Sequence, residues 1–420
     1  MISLFQSVPL LRFWVPPLAI VLILGSLVWI WRVVMRPLTS KARILALGFG
    51  LIAVVIVHHL VERVWHPVAE GLGRMTWAWA APALVAAVMV GAGLIKAEKR
   101  LRRFLAAVCA WCLIVIAGAS GINYHFEAYP TLAEVVGGGV KTISWQELKN
   151  PDEGEERGRA VEGAFVRVDL GASDSSFQPR QAIVYLPPSY FADPHEKLPV
   201  IVLMSGQPGS PQDWLVLGKL PQTMDQFADS RGGKAPIVAV VDPYGSQTNN
   251  PLCSDTSHGK VASYLEKDVP QWLKENFPVS DDAHQWAIAG LSSGGTCALQ
   301  VATRSPQVYR SFLDMSGESH PRLGNEQRTI AEGFDGSREL YAANDPVQVL
   351  GQRRYEGTAG IISWGSDDTA FKTGLLEVEH AAQKAGMSIE TRSYPGGHSW
   401  KVWKTAFEDQ LPWLAQRFGL

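Results

Sequence analysis

The chain has few cysteines and little net charge, and both features limit the classes of function that it could have. Its 420 residues include four cysteines, and 38 Lys and Arg are nearly balanced by 40 Asp and Glu. Proteins that bind nucleic acid usually carry clustered positive charge, and no basic patch is present in the acidic second part of the chain. The cysteines in that part have no metal-ligand spacing. We therefore predict no nucleic-acid partner, no metal and no cofactor.

Charge and apolar residues are divided unevenly, which indicates two regions. Residues 1–130 contain 12 Lys and Arg against 4 Asp and Glu, whereas the remainder contains 26 against 36. Four long apolar segments lie in the first part, each close to the roughly 20 residues that a helix needs to cross a bilayer core of about 30 Å. Buried core helices are the alternative, but four such runs with short charged connections favour a membrane region over residues 1–125. The segments are residues 13–30, 44–60, 76–95 and 104–122.

The connections between these segments predict an orientation, because short cytoplasmic loops are enriched in Lys and Arg. The first and third connections are rich in these residues, and the second has only Arg63 and Arg74. Four crossings then place the N-terminus and everything after residue 125 outside the cytoplasm. The cationic side chains are Arg32, Arg36, Lys41 and Arg43 in the first connection, and Lys96, Lys99, Arg100, Arg102 and Arg103 in the third.

The rest of the chain is predicted to be a linker, residues 126–160, followed by a folded domain, residues 161–420. The linker is rich in Gly and charge and has little apolar periodicity, and one short helix is expected within it, around residues 145–148. In the domain, short apolar runs alternate with amphipathic stretches, which is typical of a mostly parallel sheet with helices on both faces. Ligands of such sheets bind at the carboxyl ends of the strands. This pattern predicts an α/β fold.

A candidate nucleophile lies in residues 290–294, Gly-Leu-Ser-Ser-Gly. The pentapeptide follows the apolar run 286–289 and precedes a stretch of small and apolar residues, 296–303. A G-x-S-x-G sequence between a strand and a helix is typical of the nucleophile elbow of α/β-hydrolases. We predict that Ser292 occupies the apex of this turn.

Serine needs a base within hydrogen-bond reach, and the base needs an orienting carboxylate. In an α/β-hydrolase the acid and then the histidine follow the serine in the chain. His398 follows a late predicted strand in a Gly-rich turn, so we prefer it as the base. His320 and His380 are the rivals, but His320 precedes any acid at a strand end and His380 lies mid-helix.

The acid has two adjacent candidates, Asp367 and Asp368, at the end of a predicted strand. A glycine three residues before the acid favours Asp368; Asp367 stays open, and Glu377 is a more distant candidate. An oxyanion hole needs two N–H groups aimed at the developing alkoxide. We assign these groups to Ser293, directly after the nucleophile, and to Gln207 in the loop after an earlier strand.

The four cysteines fall into two pairs. Cys109 and Cys112 lie inside the fourth apolar segment, whereas Cys253 and Cys297 are alone in the folded domain. An oxidising compartment favours a disulfide between the second pair, which would fasten a loop to the helix that starts at the elbow. Two free buried thiols are the alternative.

Four stretches together resemble the esterase D-like family of α/β-hydrolases, which includes feruloyl esterases, S-formylglutathione hydrolases and mycolyltransferases. The resemblance covers about residues 164–418. It implies a serine hydrolase or acyltransferase that uses Ser292, Asp368 and His398. The stretches are residues 264–270, Tyr-Leu-Glu-Lys-Asp-Val-Pro; 290–295, Gly-Leu-Ser-Ser-Gly-Gly; 365–368, Gly-Ser-Asp-Asp; and 394–400, Tyr-Pro-Gly-Gly-His-Ser-Trp.

These observations predict a membrane-anchored esterase that acts outside the cytoplasm on a carboxylic ester, with a lipid or envelope ester as the candidate substrate. Transfer of the acyl group to a sugar or glycerol hydroxyl is the first alternative. A catalytically silent binding module on a membrane protein is the second.

Overall fold

The computed structural model describes residues 8–65, 72–94, 101–135, 140–150, 161–193, 195–247 and 249–420. The chain divides into two compact units, Met1–Gly138 and Gly139–Leu420, called here the helical unit and the sheet unit. Residues 136–139 and 151–160 of the predicted linker lie outside the described residues. So do Lys96, Lys99 and Arg100, on which the predicted orientation partly depends.

The helical unit contains one long helix for each predicted apolar segment. Among the described residues, four helices are long and apolar enough to span a membrane. Two of them continue into π-helical turns at Trp31–Met35 and Leu60–Trp65. The helices are α1 Val15–Ile30, α2 Ser40–His59, α3 Gly73–Leu94 and α4 Leu101–Phe126, followed by the single turn α5 Leu132–Val135.

The helical unit is apolar both inside and outside. Small side chains such as Ala86 and Ala107 are fully buried where the helices pack together. On the outward faces, the apolar side chains of Ile44, Val55 and Ile116 are 70%, 67% and 62% exposed. A helix that is apolar all round is typical of a buried or membrane-spanning position.

The sheet unit is built on one sheet whose described strands number nine, in the order β1-β2-β3-β5-β4-β8-β9-β10-β11. All neighbours are parallel except β3, which runs antiparallel to both β2 and β5. A separate hairpin contains β6 Asp255–Thr256 and β7 Gly259–Lys260. The sheet strands are β1 Ile143–Ser144, β2 Ala164–Val168, β3 Ala182–Leu186, β4 Val200–Met204, β5 Ile237–Val241, β8 Trp286–Leu291, β9 Ser311–Met315, β10 Ala359–Gly365 and β11 Ser388–Tyr394.

Helices cover both faces of this sheet, because its central strands are apolar on both sides. One core includes Leu273 and Leu375, and the other includes Met224, Phe407 and Leu414. The helices are α6 Trp145–Lys149, α7 Pro188–Ala192, α8 Pro211–Val216, α9 Leu220–Asp229, α10 Val261–Ser263, α11 Val269–Asn276, α12 Ser293–Arg304, α13 Glu326–Arg328, α14 Arg338–Asn344, α15 Pro346–Leu350, α16 Thr369–Lys384 and α17 Trp400–Phe418.

The topology brings several chain segments to one edge of the sheet. Strands β4, β5, β8, β9, β10 and β11 are parallel, so their carboxyl ends lie together. Strand β3 runs the other way, so its first residue, Ala182, lies at this same edge. The mostly parallel sheet with helices on both faces is the α/β-hydrolase fold, which confirms the predicted fold class.

The predicted linker contains a strand that its sequence pattern did not indicate, together with the short helix expected around residues 145–148. Strand β1 pairs in parallel with β2, with Ile143 opposite Val166. Helix α6 follows directly, and Ser144 and Glu147 form a capping box at its start. A two-residue strand is too short to show a period, so this extension of the sheet could not be predicted from apolar spacing.

Candidate active site

Ser292 lies on a sharp turn between β8 and α12. Its backbone has φ +52° and ψ −129°, a conformation that costs a non-glycine residue free energy and persists only where its surroundings enforce it. The Ser292 N–H donates to the carbonyl of Met315 at 2.8 Å. A Cβ at position 290 would lie 2.1 Å from the Gly294 carbonyl oxygen, and one at position 294 would lie 2.3 Å from the Ser205 carbonyl oxygen. Both glycines are therefore required by close backbone approach.

His398 follows β11 and reaches the serine. Its Nε2 lies 2.9 Å from Ser292 Oγ, and its Nδ1 lies 2.8 Å from Asp368 Oδ2. Phe371 stacks on the imidazole with centroids 4.3 Å apart and planes 19° apart, and the Trp403 ring meets it edge-on at 4.7 Å. These two aromatic rings restrict the imidazole to the plane that serves both hydrogen bonds.

The two adjacent aspartates at the end of β10 have different surroundings. Asp368 is buried, 7% exposed, and faces His398. Asp367 is exposed, and its N–H donates to the carbonyl of Gly396 at 2.9 Å. The histidine loop can approach β10 this closely because position 365 is glycine; a Cβ there would lie 2.4 Å from the Gly396 carbonyl oxygen.

The rival candidates lie away from this chain of hydrogen bonds. His320 Nδ1 bonds to the buried Asp345 at 2.8 Å, and its Nε2 lies 3.8 Å from Glu377. The hydrogen bond to Asp345 raises the pKa of His320, so this pair is an ion pair at mildly acidic pH. Glu377 and His380 are exposed on α16.

The loop after β4 lies against Ser292. A Cβ on Gly206 would lie 2.9 Å from Ser292 Cβ, so this loop contacts the serine directly. Gln207 is the next residue, and Ser293 is the first residue of α12. The two chain segments that carry the Gln207 and Ser293 N–H groups therefore meet at Ser292.

Three residues beside this loop make contacts that the sequence did not predict. Tyr244 Oη contacts both Ser205 and Ser293, and the Arg180 side chain contacts the Gly209 carbonyl and Asp242. Asp242 directly follows β5, and its strand-end position placed it at the expected ligand-binding edge; Tyr244 lies two residues further along the chain. Arg180 precedes β3, and only the antiparallel direction of β3 places it at this edge.

Cys253 and Cys297 are joined by a disulfide. Cys297 lies in the first turns of α12, and Cys253 lies in a loop before α10. The carbonyl oxygen of Cys253 accepts a hydrogen bond from Arg304 Nη2 at 2.9 Å. The bridge closes a loop with a sequence separation of 44 residues. Such a bridge typically stabilises a fold by about 2–4 kcal/mol, and here it fastens that loop to the helix of the elbow. Cys109 and Cys112 are free.

A small polar cavity of about 20 Å³ adjoins the elbow, with room for about one water molecule. Its lining includes Tyr244, Ser293, Glu318 and Arg322, and Arg322 Nε pairs with Glu318 at 3.1 Å. A larger cavity of about 690 Å³ lies near Trp145 and Trp272 at the β1 side of the sheet, and none of the candidate catalytic residues lines it. The smaller cavity is lined by Ser293 but by none of Ser292, Asp368 and His398.

A family model described as "Putative esterase" matches residues 173–414, more than half of the chain. The chain belongs to this family. An uncharacterised protein of Corynebacterium glutamicum is 37% identical over 321 residues, which cover 73% of this chain and 75% of that protein. An S-formylglutathione hydrolase of Paracoccus denitrificans is 22% identical over 265 residues, 59% of this chain and 91% of the relative. A solved ferulic acid esterase superposes with a TM-score of 0.53 at 21% identity, covering 61% of this chain and all of the esterase.

Membership of this family confirms the resemblance of the four sequence stretches to esterases of the α/β-hydrolase fold. It also makes this chain an enzyme of the carboxylic-ester hydrolase or acyltransferase type. The solved esterase is similar below 25% identity, so its likeness supports the fold alone.

A buried carboxyl group lies beneath the elbow of this esterase. Asp314 on β9 is fully buried, and its Oδ1 accepts from the Gly317 N–H at 2.8 Å. Its Oδ2 has no hydrogen-bond partner. Burial raises the pKa of Asp314 from 3.8 to about 7, so the folded chain holds a proton that the unfolded chain releases.

Asp314→Asn should reduce the loss of folding stability that the wild type shows as pH rises. As pH rises from about 4 to about 7, the unfolded Asp314 ionises while the folded one stays protonated, so the wild type loses stability. Asparagine is nearly isosteric with the protonated acid and does not titrate. In thermal unfolding of the full chain, we expect the variant to gain on the order of 2 kcal/mol relative to wild type between pH 5 and pH 8. Equal pH slopes for the two proteins would contradict this assignment.

Proposed function

We propose that the chain is a membrane-anchored serine esterase that hydrolyses a carboxylic ester outside the cytoplasm. The observation that carries this proposal is the continuous hydrogen-bonded chain from Ser292 through His398 to Asp368. An esterase fold could persist without its activity, but an intact chain of nucleophile, base and acid favours catalysis over a silent binding module.

The reaction proceeds in two halves through an acyl-enzyme. Ser292 Oγ attacks the ester carbonyl carbon while His398 Nε2 takes the serine proton, and the carbonyl oxygen becomes an oxyanion. His398 then gives that proton to the leaving alkoxide, which departs as an alcohol. Water repeats the sequence on the acyl-enzyme, so that a carboxylic acid leaves and Ser292 regains its proton.

The surrounding residues supply orientation and charge stabilisation. Asp368 accepts the Nδ1–H of His398, which keeps the imidazole in the tautomer that accepts at Nε2 and stabilises the imidazolium that forms. The N–H groups of Gln207 and Ser293 donate to the oxyanion. The orientation of the imidazole and the stabilisation of the oxyanion are thus both performed by groups of the chain itself.

The four apolar helices and the disulfide support the proposed location. Outward faces with exposed Ile44 and Val55 fit lipid better than water, because large exposed apolar patches are rare on soluble proteins. A disulfide persists in an oxidising compartment. The Lys and Arg of the first connection favour a cytoplasmic loop there, and hence an N-terminus and a catalytic domain on the outer side.

A paired labelling experiment tests the activity and the location together. Intact cells that express the full chain are treated with a membrane-impermeant fluorophosphonate, and a second sample with a permeant one. Equal labelling of the chain by both probes supports an outward active site. Labelling by the permeant probe alone would refute the location, and labelling by neither would refute the activated serine.

Product analysis separates hydrolysis from acyl transfer. The purified full chain in detergent is given p-nitrophenyl esters of graded acyl length, with and without glycerol. Free acid as the main product in both samples supports the esterase. Acyl glycerol as the main product would replace hydrolysis by acyl transfer from the same acyl-enzyme.

A further inference from the structure

Tyr244 connects the two chain segments that carry the proposed oxyanion donors. Its hydroxyl lies 3.0 Å from the carbonyl oxygen of Ser205 and 2.7 Å from Ser293 Oγ. A carbonyl only accepts, so the tyrosine proton goes to Ser205 and the Ser293 hydroxyl donates to Tyr244 Oη. Tyr244 is 3% exposed, and its hydrogen bond to Ser205 is buried, whereas the one to Ser293 is partly buried.

The far end of the oxyanion loop is held by an ion pair. Arg180 Nη2 donates to the Gly209 carbonyl at 2.7 Å, and the same guanidinium binds Asp242 with contacts of 2.7 and 2.8 Å. Asp242 is fully buried. Its carboxylate also accepts from the backbone N–H of Tyr244 at 3.1 Å and of Gly245 at 3.0 Å.

These contacts form one network around residues 205–209. Tyr244 holds the first residue of the loop, Arg180 holds Gly209, and Asp242 fixes Arg180 and the backbone of Tyr244. The loop also folds tightly on itself, since a Cβ at Gly209 would lie 2.4 Å from the Gly206 carbonyl oxygen. Gln207 therefore lies in a loop fixed at both ends.

We propose that Tyr244 is a positioning residue of the oxyanion hole, which holds the N–H groups of Gln207 and Ser293 at the separation that the transition state requires. This inference rests on the proposed serine esterase function. Donors of an oxyanion hole act only when they lie about 2.7–3.1 Å from the developing oxyanion. Tyr244 bonds to the carbonyl of Ser205, two residues before Gln207, and to the side chain of Ser293, so its hydroxyl connects the two segments that carry the donors.

The loss of this hydroxyl should weaken transition-state binding and leave substrate binding nearly unchanged. The ground-state ester carbonyl makes weaker use of the hole than the tetrahedral oxyanion does. We expect Tyr244→Phe to lower kcat about 10-fold with KM within 2-fold of wild type. The affinity for phenylboronic acid, a tetrahedral adduct former, should fall by a similar factor.

Tyr309→Phe is the matched control. Tyr309 is fully buried in the same unit, and its hydroxyl also donates to a backbone carbonyl, that of Leu265 at 2.8 Å. Both variants lose one buried hydroxyl and should show similar decreases in Tm, but Tyr309→Phe should keep wild-type kcat. Ser293→Ala removes the other partner of Tyr244, so it should lower kcat by a few-fold and add little when combined with Tyr244→Phe.

The outcomes distinguish this inference from the proposed function. If wild type hydrolyses esters but Tyr244→Phe retains kcat within 2-fold, the positioning role is overturned. Equal loss of kcat in Tyr244→Phe and Tyr309→Phe would also overturn it, because the loss would then be one of fold stability. If wild type has no ester hydrolysis that depends on Ser292, the proposed function itself fails.

Discussion

Ser292→Ala is expected to lower kcat for ester hydrolysis by about 10⁴- to 10⁶-fold, because alanine leaves no nucleophile to form the acyl-enzyme. Labelling by a fluorophosphonate should disappear, since the probe reacts with the activated hydroxyl. The backbone at position 292 has a positive φ. Alanine adopts this conformation at about the same cost as serine, so we expect the variant to fold. Its Tm checks this expectation.

The neighbouring serine provides the control. Ser293 belongs to the same pentapeptide, but its Oγ bonds to Tyr244 and not to the histidine. Ser293→Ala should keep fluorophosphonate labelling and lose only a few-fold in kcat. Persistent turnover and labelling in Ser292→Ala would remove Ser292 from the mechanism.

Asp368→Asn should lower kcat by about 10³- to 10⁴-fold at neutral pH. An amide can present its N–H to His398 Nδ1, which favours the tautomer with a proton on Nε2. In that tautomer, Nε2 cannot accept the proton of Ser292. The amide also cannot stabilise the imidazolium. The geometry at Ser292 should survive, because Asn and Asp have nearly the same shape, and substrate KM should change little.

Asp367→Asn is the control for this change. It lies one residue away, is exposed, and fixes the turn through its backbone N–H to Gly396. That backbone bond is kept in the variant, so kcat should stay within 2-fold of wild type. A larger loss in Asp367→Asn than in Asp368→Asn would transfer the role of triad acid to Asp367.

Periodicity and motif order predicted most of the architecture from the sequence. Four apolar segments predicted four long helices, because the length of a membrane-spanning helix is set by bilayer thickness. The Gly-x-Ser-x-Gly turn predicted Ser292 at a strand–helix junction. The order serine, acid, histidine favoured His398 over His320, and the mid-helix position of His380 argued against that residue. The apolar segments and the turn are local in the chain, so they can be interpreted without knowledge of the tertiary structure.

The short strand β1 and the residues around the oxyanion loop were not predicted, for two different physical reasons. Strand β1 has two residues, Ile143 and Ser144, so no period could appear. Arg180 and Tyr244 lie on segments about 64 residues apart, and they meet only because β3 runs antiparallel to β5.

The sequence alone determined that this protein has a long apolar N-terminal region and an α/β-hydrolase domain with Ser292 at its elbow, since these follow from residue spacing. It left the acid open between two adjacent aspartates and did not indicate what holds the oxyanion loop. The tertiary structure distinguishes the two aspartates and shows the contacts of the loop. The turn after β10 directs Asp368 inward and Asp367 to solvent, and the strand directions of the sheet bring Arg180, Asp242 and Tyr244 to the loop beside Ser292.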